Sequence, residues 1–538
     1  MTTIAHSRPK VCHIAATTEG AVWVFEQLRD LRDRYGYDVS AILNGQEGRL
    51  VDQFRSAGIP VLSSNFDFTS NAELLDLPRK VVALVRILRR ERFDIIQTHL
   101  FHSMVIGRIA AWYADVPIRF SMIAGPFHLE AYTPRWIDRY TGWIDTTTIA
   151  SCDFTRKLYA TMGVPPTRTA VIYYGPDERK FDPSTTVAAD LRAEHGWASD
   201  TPLVGLVAYF YAQLTPSRWI PSSVHGRSVK SQEDLIRAAP AVLREFPQAK
   251  FLLIGSGWED GGRDYRKRMQ ELVTELGLAH AVIFTGFRTD IPAVLRSLDV
   301  AVQCSLSENL GGTIESLLMQ CPTVATRVGG MTDSVLDRET GFVVDPADPK
   351  SLADGILQAL RDPAAARSYA VAGRERMLAG FTLRRTVDDL DALYRRKLAA
   401  RKAGYRPPVL VARLVLGSVL CSLIVVRYCL LDAWILPRWD LGWRPWRVNA
   451  LSLFPARMWL NRAYAFAGRH SLGLGIGRRV GSFLGRSLRW IEALRPLPMR
   501  MRLYQLYAFI GRHGTNFGIR RRIREWSRAA TGWVLRRD

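Results

Sequence analysis

Residues Ser305–Gly330 read SLSENLGGTIESLLMQCPTVATRVGG, and the order of residue types points to a ligand-binding turn. The apolar run Asp299–Gln303 leads into a polar turn. Glu308 precedes Gly311 and Gly312, and a helical pattern over Thr313–Gln320 carries Glu315. Glycines let a backbone come close to a ligand. A helix start presents unpaired N–H groups and positive dipole potential, which suit a phosphate. A carboxylate one turn into such a helix accepts hydrogen bonds from a ribose diol, and a second one just outside it holds sugar hydroxyls. By themselves, two glutamates and a glycine pair read more readily as a solvated loop, so the flanking sequence has to separate the two readings.

Outward from this stretch, short apolar runs alternate with amphipathic segments from residue 11 to about 380. Val11–Ala15, Asp38–Leu43, Pro60–Ser63, Asp94–Thr98, Ile118–Ile123, Thr146–Ala150 and Ala170–Tyr173 read as strands, with helical stretches such as Val22–Tyr35 and Ala72–Arg90 between them. The pattern then repeats. Leu203–Ala208, Lys250–Gly255, Val282–Thr285, Asp299–Gln303 and Thr323–Thr326 are strand-like, and Ser231–Phe246, Asp264–Leu276, Ile291–Ser297 and Thr313–Gln320 helical. Such alternation predicts the α/β class with parallel sheets wrapped by helices. Two Rossmann-like doubly wound domains facing across a cleft are expected, over residues 1–178 and 179–400, the second with closing helices. Residues 401–538 form a mainly helical C-terminal extension. Ligands in such folds bind outside the carboxyl ends of the strands.

Composition divides the chain in the same way. The 538 residues are 48% hydrophobic and 23% charged, which excludes wholesale disorder. Residues 1–400 hold 47 Lys+Arg against 46 Asp+Glu, whereas 401–538 hold 26 against 5, so almost all of the net +22 belongs to the extension. Only Lys402 among those cations is lysine, and eight of the 15 tryptophans lie there. Within it, Val409–Leu436 is apolar but broken by Arg413, Arg427 and Asp432. Its clean core Leu414–Val426 is shorter than the roughly 20 residues needed to span a bilayer, so a buried or interfacial helix is expected. A motif recurs 43 residues apart: Arg457-Met458-x-Leu460 with Tyr464-Ala465-Phe466-x-Gly468-Arg469-His470 returns as Arg500-Met501-x-Leu503 with Tyr507-Ala508-Phe509-x-Gly511-Arg512-His513. Basic amphipathic helices with Trp fit an anionic membrane surface. Protein contact is the next reading, and no nucleic-acid motif is present. Six cysteines without zinc or disulfide spacing suit a reducing cytoplasm, and residues 1–10 lack a signal-peptide core.

The decisive stretch and its neighbours together resemble the family 4 glycosyltransferases of the GT-B fold. The resemblance rests on Glu308, Gly311-Gly312, Glu315 and Ser316-Leu317-Leu318-Met319, then Pro322-Thr323-Val324-Ala325 and Val328-Gly329-Gly330, with Thr340–Val344 continuing it. Upstream, Phe251–Gly257, Val282–Phe287 and Val171–Asp177 occur in the family's order. The resemblance implies that the second domain binds a nucleotide-sugar. Glu315 matches the glutamate on the ribose and Glu308 the one facing the donor sugar. Gly311, Gly312 and Thr313 lie where backbone amides meet diphosphate and sugar, Phe287 and Arg288 where the base is cradled, and Lys230 where a lysine neutralises the diphosphate. Gly20 belongs to a reduced form of the family's Gly-rich loop, and His128 is the nearest candidate for a cleft histidine of the acceptor-binding first domain.

The chain departs from the family pattern in three places. Glu308 to Glu315 is one residue shorter than the usual spacing. Val207-Ala208-Tyr209-Phe210-Tyr211 stands where an arginine often follows the first strand of the second half. Ala124-Gly125 stands where His-Gly is expected. Arg227, in the long loop Ala212–Val229, is either a replacement cation or solvated. The mechanism implied is transfer with retention, the leaving phosphate taking the acceptor proton, with no cofactor and no metal required. Asp389-Leu390-Asp391, the one Asp-x-Asp, reads as a solvated helix face. The function expected is transfer of a sugar from a nucleoside-diphosphate sugar, UDP-linked, to a lipid-linked or polysaccharide acceptor. The expected location is the inner face of the cell membrane, held peripherally by 401–538. The rivals are a GT-B nucleotide-sugar epimerase and a non-catalytic membrane scaffold.

Overall fold

The structure is a computed structural model and describes residues 8–68, 73 and 76–402. The extension beyond 402, with the apolar segment Val409–Leu436 and the duplicated motif, lies outside the described residues. Two all-parallel sheets make up the fold. The first holds β1 (Lys10–Ala15), β2 (Asp38–Leu43), β3 (Val61–Ser63), β4 (Ile95–His99), β5 (Ile118–Ile123), β6 (Thr147–Ala150) and β7 (Thr169–Val171), in the order 3-2-1-4-5-6-7. The second holds β8 (Leu203–Val207), β9 (Lys250–Ile254), β10 (Val282–Gly286), β11 (Val300–Gln303), β12 (Thr323–Thr326) and β13 (Phe342–Val344), in the order 10-9-8-11-12-13. Strand order reverses between β1 and β4 and between β8 and β11, so each sheet opens a crevice at the carboxyl ends of those strands. These are the two halves expected from the alternation, and β13 is a strand the alternation had not singled out.

Each half has its own core. Val204, Phe251, Val300 and Val324 pack under the helices Gln232–Leu243 and Pro349–Arg361, and Val11, Ala41, Ile95 and Phe120 form the first-half counterpart. The helix expected over Ala72–Arg90 is seen as Leu77–Glu91, with Pro78 in its first turn, where a missing N–H costs nothing. The helix expected over Thr313–Gln320 is only Thr313–Leu318, because Gln320 turns into the left-handed region at φ 55°. Among the described residues no helix is long and apolar enough to cross a membrane.

The helix Leu383–Lys402 was grouped by sequence with residues 179–400, yet it buries Leu383, Val387, Leu390, Leu393 and Tyr394 in the core of the first half. The chain crosses between halves twice at one spot: Leu383 N–H donates to the Pro176 carbonyl at 2.8 Å, and Gly175 N–H to Thr386 Oγ1 at 3.0 Å. A Cβ on Gly175 would lie 2.1 Å from the Thr382 backbone, so only glycine lets the two crossings touch. Asp389-Leu390-Asp391 is accordingly no solvated face. Asp391 is buried and accepts from Tyr37 Oη at 2.9 Å and from Arg395 Nε at 2.8 Å.

Tyr394 also closes a buried polar chain. Its hydroxyl donates to Gln97 Oε1 at 2.6 Å and accepts from His13 Nε2 at 3.0 Å, and His13 Nδ1 accepts from His99 Nε2 at 3.1 Å. That direction needs His13 neutral, with Nε2 carrying the proton and Nδ1 free to accept. Burial drives the His13 pKa down to about 3 and pushes His99 well below its ordinary value. Their unfolded pKa is near 6.5, so the unfolded chain binds more protons below that pH. The stability they contribute is complete above about pH 6.5 and is lost as pH falls towards about 3, at up to about 1.4 kcal/mol per pH unit for each histidine. Urea midpoints should therefore drop between about pH 7.5 and about pH 5. The His13→Asn/His99→Asn variant should show a shallower slope, and equal slopes would refute the assignment.

Candidate active site

The site is built where the second sheet reverses order. Lys230 ends the long loop after β8, just before the helix Gln232–Leu243. Its carbonyl accepts from Cys304 Sγ at 3.3 Å, tying it to the end of β11. Ser231 turns the chain in the left-handed region at φ 48° and its hydroxyl donates to Asp234 Oδ2 at 2.8 Å. The Lys230 ammonium thereby reaches Glu308 in a half-buried ion pair. Glu308 is held in turn: its Oε1 accepts from Asn309 N–H at 3.0 Å, and Val328-Gly329-Gly330 packs so tightly on its backbone that a Cβ on Gly329 would sit 1.7 Å from the Glu308 carbonyl oxygen. Gly312 similarly lies against Gln303, whose Nε2 would be 2.5 Å from a Cβ there.

Charge is concentrated at this spot. Burial pulls the Lys230 ammonium down, but Glu308, helped by Tyr211 and Glu315, outweighs it and the pKa is raised, so the lysine stays charged. Burial pushes the Glu315 carboxyl up to about 7. Its own backbone N–H and Lys230 pull it back, and Glu308 adds to the rise. Lys230, Glu308, Gly311, Gly312 and Glu315 are thus brought together as one cation, two carboxylates and a glycine turn. Thr313 faces inward, its hydroxyl bonded to the Leu310 carbonyl and to Ser334 Oγ. Gly311 and Gly312 remain as the candidate backbone donors.

A cavity of about 570 Å³ is lined by residues of both halves. Phe287 lines it, 55% exposed, with Tyr209 stacked 6.3 Å away and Trp258 edge-on to Tyr209 at 5.2 Å. Thr18, Glu19 and Arg49 face them from the first half, and Gly20 turns at φ 63° opposite Trp258. Arg288 does not line this cavity. Its guanidinium is engaged with Glu194 Oε2 at 2.8 Å and Asp290 Oδ2 at 2.6 Å, so only its backbone is left for a base. Arg227 is neither a replacement cation nor solvated, because it clamps Glu233, Asp234 and Ser231 at the start of the helix that follows Lys230.

His128 is buried on the first half's loop after β5. Its Nε2 lies 3.4 Å from Asp138 Oδ2, in a network with Arg108, Asp145 and Tyr159. The same loop reaches the second half: Ser307 Oγ donates to Glu130 Oε2 at 2.5 Å, next to Glu308. Glu130, Gln303, Tyr209 and Trp258 were given no site role from sequence. The tyrosine lies in the string Tyr209-Phe210-Tyr211 that replaces the expected arginine, whereas Glu130 had no pattern to mark it. Among the described residues no group of three His, Cys, Asp or Glu side chains is placed to hold a metal ion.

Comparison with known proteins agrees with this geometry. Residues 217–376 match the family described as glycosyl transferases group 1, and residues 19–175 match the glycosyl transferase 4-like domain. The chain is 29% identical over 327 residues to D-inositol 3-phosphate glycosyltransferase of Acidothermus cellulolyticus, covering 58% of this chain and 68% of that one. It is 23% identical over 406 residues to the Escherichia coli UDP-Gal:alpha-D-GlcNAc-diphosphoundecaprenol alpha-1,3-galactosyltransferase, covering 72% and 97%. Among solved structures, Anabaena HepE in complex with UDP superposes with a TM-score of 0.59 at 22% identity, over 71% of this chain and 99% of that one. Two matching domain profiles in the right order, two facing Rossmann-like halves and a Lys–Glu–Gly-Gly–Glu cluster at the sheet reversal place this chain among the family-4-like glycosyltransferases of the GT-B fold, enzymes that use nucleotide-sugars.

Proposed function

We propose that this glycosyltransferase moves a sugar from a UDP-sugar to a lipid-linked or growing polysaccharide acceptor at the inner face of the cell membrane, with retention at the anomeric carbon. The observation that carries this reading is the Lys230–Glu308 pair beside Glu315 and Gly311-Gly312 at the reversal of the second sheet. A donor diphosphate takes Glu308's place on Lys230 and frees the Glu308 carboxylate for hydroxyls of the donor sugar. Glu315 accepts from the ribose, and the aromatic wall of Phe287 and Tyr209 receives the base. The bond from the anomeric carbon to the phosphate oxygen breaks, the acceptor oxygen bonds on the same face, and its proton passes to the departing phosphate. Lys230 stabilises the charge that develops there. His128, held by Asp138 in the first half, positions sugar hydroxyls. The Escherichia coli relative, named as a galactosyltransferase from UDP-Gal to a diphosphoundecaprenol-linked sugar, supports the choice of donor and acceptor. The Arg- and Trp-rich sequence of 401–538 supports attachment to an anionic surface.

Thermal shift against a panel of nucleotide-sugars, followed by incubation of the stabilising donor with membrane lipid extract, tests this reading. Transfer that depends on the extract and gives a product of unchanged anomeric configuration is expected. Extract-independent rearrangement or inversion would overturn it. Glu315 adds a pH signature. Burial pushes its carboxyl up to about 7, and it accepts from both hydroxyls of the ribose best when ionised, so donor affinity should rise by up to about tenfold between about pH 6 and about pH 8. In Glu315→Gln the rise should vanish. An identical rise in the variant would remove Glu315 from the role.

A further inference from the structure

We infer that Glu130 and Ser151 of the first half are positioning residues for Glu308: they hold its two chain neighbours and so set where its carboxylate stands once a donor is bound. This rests on the reading that Glu308 faces the donor sugar. Glu308 lies in the turn between β11 and the helix Thr313–Leu318, and its two carboxylate oxygens are held differently. Oε2 meets the Lys230 ammonium and accepts from Ser305 Oγ at 3.4 Å, both within the second half. Oε1 accepts from the Asn309 N–H at 3.0 Å. A diphosphate that takes Lys230 removes the strong partner of Oε2. The Asn309 N–H is then the firmest hold left on the carboxylate, and whatever fixes Asn309 fixes Glu308.

The first half supplies that fixing on both sides. Ser151 Oγ, at the end of β6, donates to Asn309 Oδ1 at 3.0 Å. Glu130 Oε2, in the loop after β5, accepts from Ser307 Oγ at 2.5 Å. Ser151, Ser307 and Asn309 are all buried, so neither bond has water to replace it. The backbones also meet here. A Cβ on Gly330 would lie 2.6 Å from Cys152 Cβ and 3.0 Å from the Asn309 carbonyl oxygen, so the turn is backed by the first half as well as bonded to it.

The two halves thus divide the work on one side chain. Lys230 answers its charge, and Glu130 and Ser151 answer for its orientation. A carboxylate that must meet particular sugar hydroxyls loses rate steeply when it is displaced by a fraction of a bond length, so bonds from the acceptor half to residues 307 and 309 belong to the donor site's precision.

Transfer of radiolabelled sugar to membrane lipid extract, measured on the full chain at saturating donor, tests the inference. Glu130→Ala and Ser151→Ala should each lower the rate roughly threefold to tenfold. Glu130→Gln keeps an oxygen for the Ser307 hydroxyl and should restore the rate to within about twofold of the parent. An unchanged thermal shift with UDP verifies that the variants keep their fold and nucleotide site. In a Glu308→Ala background, Glu130→Ala and Ser151→Ala should each cost less than about twofold, because no side chain remains for them to position. Equal losses in both backgrounds, Glu130→Gln falling as far as Glu130→Ala, or single variants as fast as the parent would overturn the inference. A Glu308→Ala chain as fast as the parent would instead remove Glu308 from the donor site, and the inference with it.

Discussion

Lys230→Ala is expected to lower kcat by roughly 10²–10³-fold, the usual cost of removing a preorganised group aimed at charge developing in the transition state. Among the described residues, Lys230 is the one cation brought onto the carboxylate pair. The neighbouring arginines are committed elsewhere, Arg227 to Glu233 and Asp234 and Arg288 to Glu194 and Asp290. Without it the departing diphosphate faces two carboxylates and no counter-charge, so the loss should appear in kcat and not only in KM. Glu308 would also be left unpaired. A Lys230→Ala/Glu308→Gln variant should regain stability, which measures how much of the single variant's effect is a folding effect. Steady-state rates under saturating donor decide it, and a single variant within threefold of the parent would remove Lys230 from the chemistry.

Arg108→Met is expected to destabilise the first half by about 3–5 kcal/mol, the range for stripping one partner from a buried ion-pair network. Arg108 is a fully buried side chain. Its Nε donates to Asp145 Oδ2 at 2.8 Å and Ser121 Oγ at 2.9 Å, and its Nη1 to Asp138 and to Thr141 Oγ1 at 3.2 Å. Burial alone would raise Asp138, but Arg108 and the hydrogen bonds from His128 and Tyr159 hold it well below the ordinary carboxylate range. Asp145 keeps the larger burial effect and is raised to about 6. Methionine fills similar volume but leaves both carboxylates without their cation. Replacing all three, Arg108→Met/Asp138→Asn/Asp145→Asn, should recover most of the loss, because an uncharged network needs no counter-ion. Urea unfolding gives the comparison, and a single variant within about 1 kcal/mol of the parent would show that water or rearrangement supplies what Arg108 does. Because Asp138 also orients His128, the single variant should weaken acceptor use as well as the fold.

Both halves of the fold were legible along the chain, because strand and helix periods are local. Strands buried on both faces are short apolar runs, the helices between them are amphipathic, and Asp38–Leu43, Ile118–Ile123, Ile291–Ser297 and Thr323–Thr326 stand where their periods put them. The turn that carries the two glutamates was legible for the same reason. Glu308, Gly311, Gly312 and Glu315 sit within eight residues of one another, so a turn's chemistry can be read from the string that makes it. What only the tertiary structure decided joins residues far apart in the chain. The helix Leu383–Lys402 carries an apolar stripe that fits either half, and only the crossing at Gly175 delivers it to the first. Lys230 and Glu308 are 78 residues apart, and their pairing comes from the adjacency of β8 and β11, which no local period records. Whether an arginine is a free cation or a clamp, as at Arg227, and whether an aspartate faces water or a buried partner, as at Asp138 and Asp391, depends on what stands opposite. A residue's type and spacing set its possible partners, but its burial and its actual partner are properties of the packed fold.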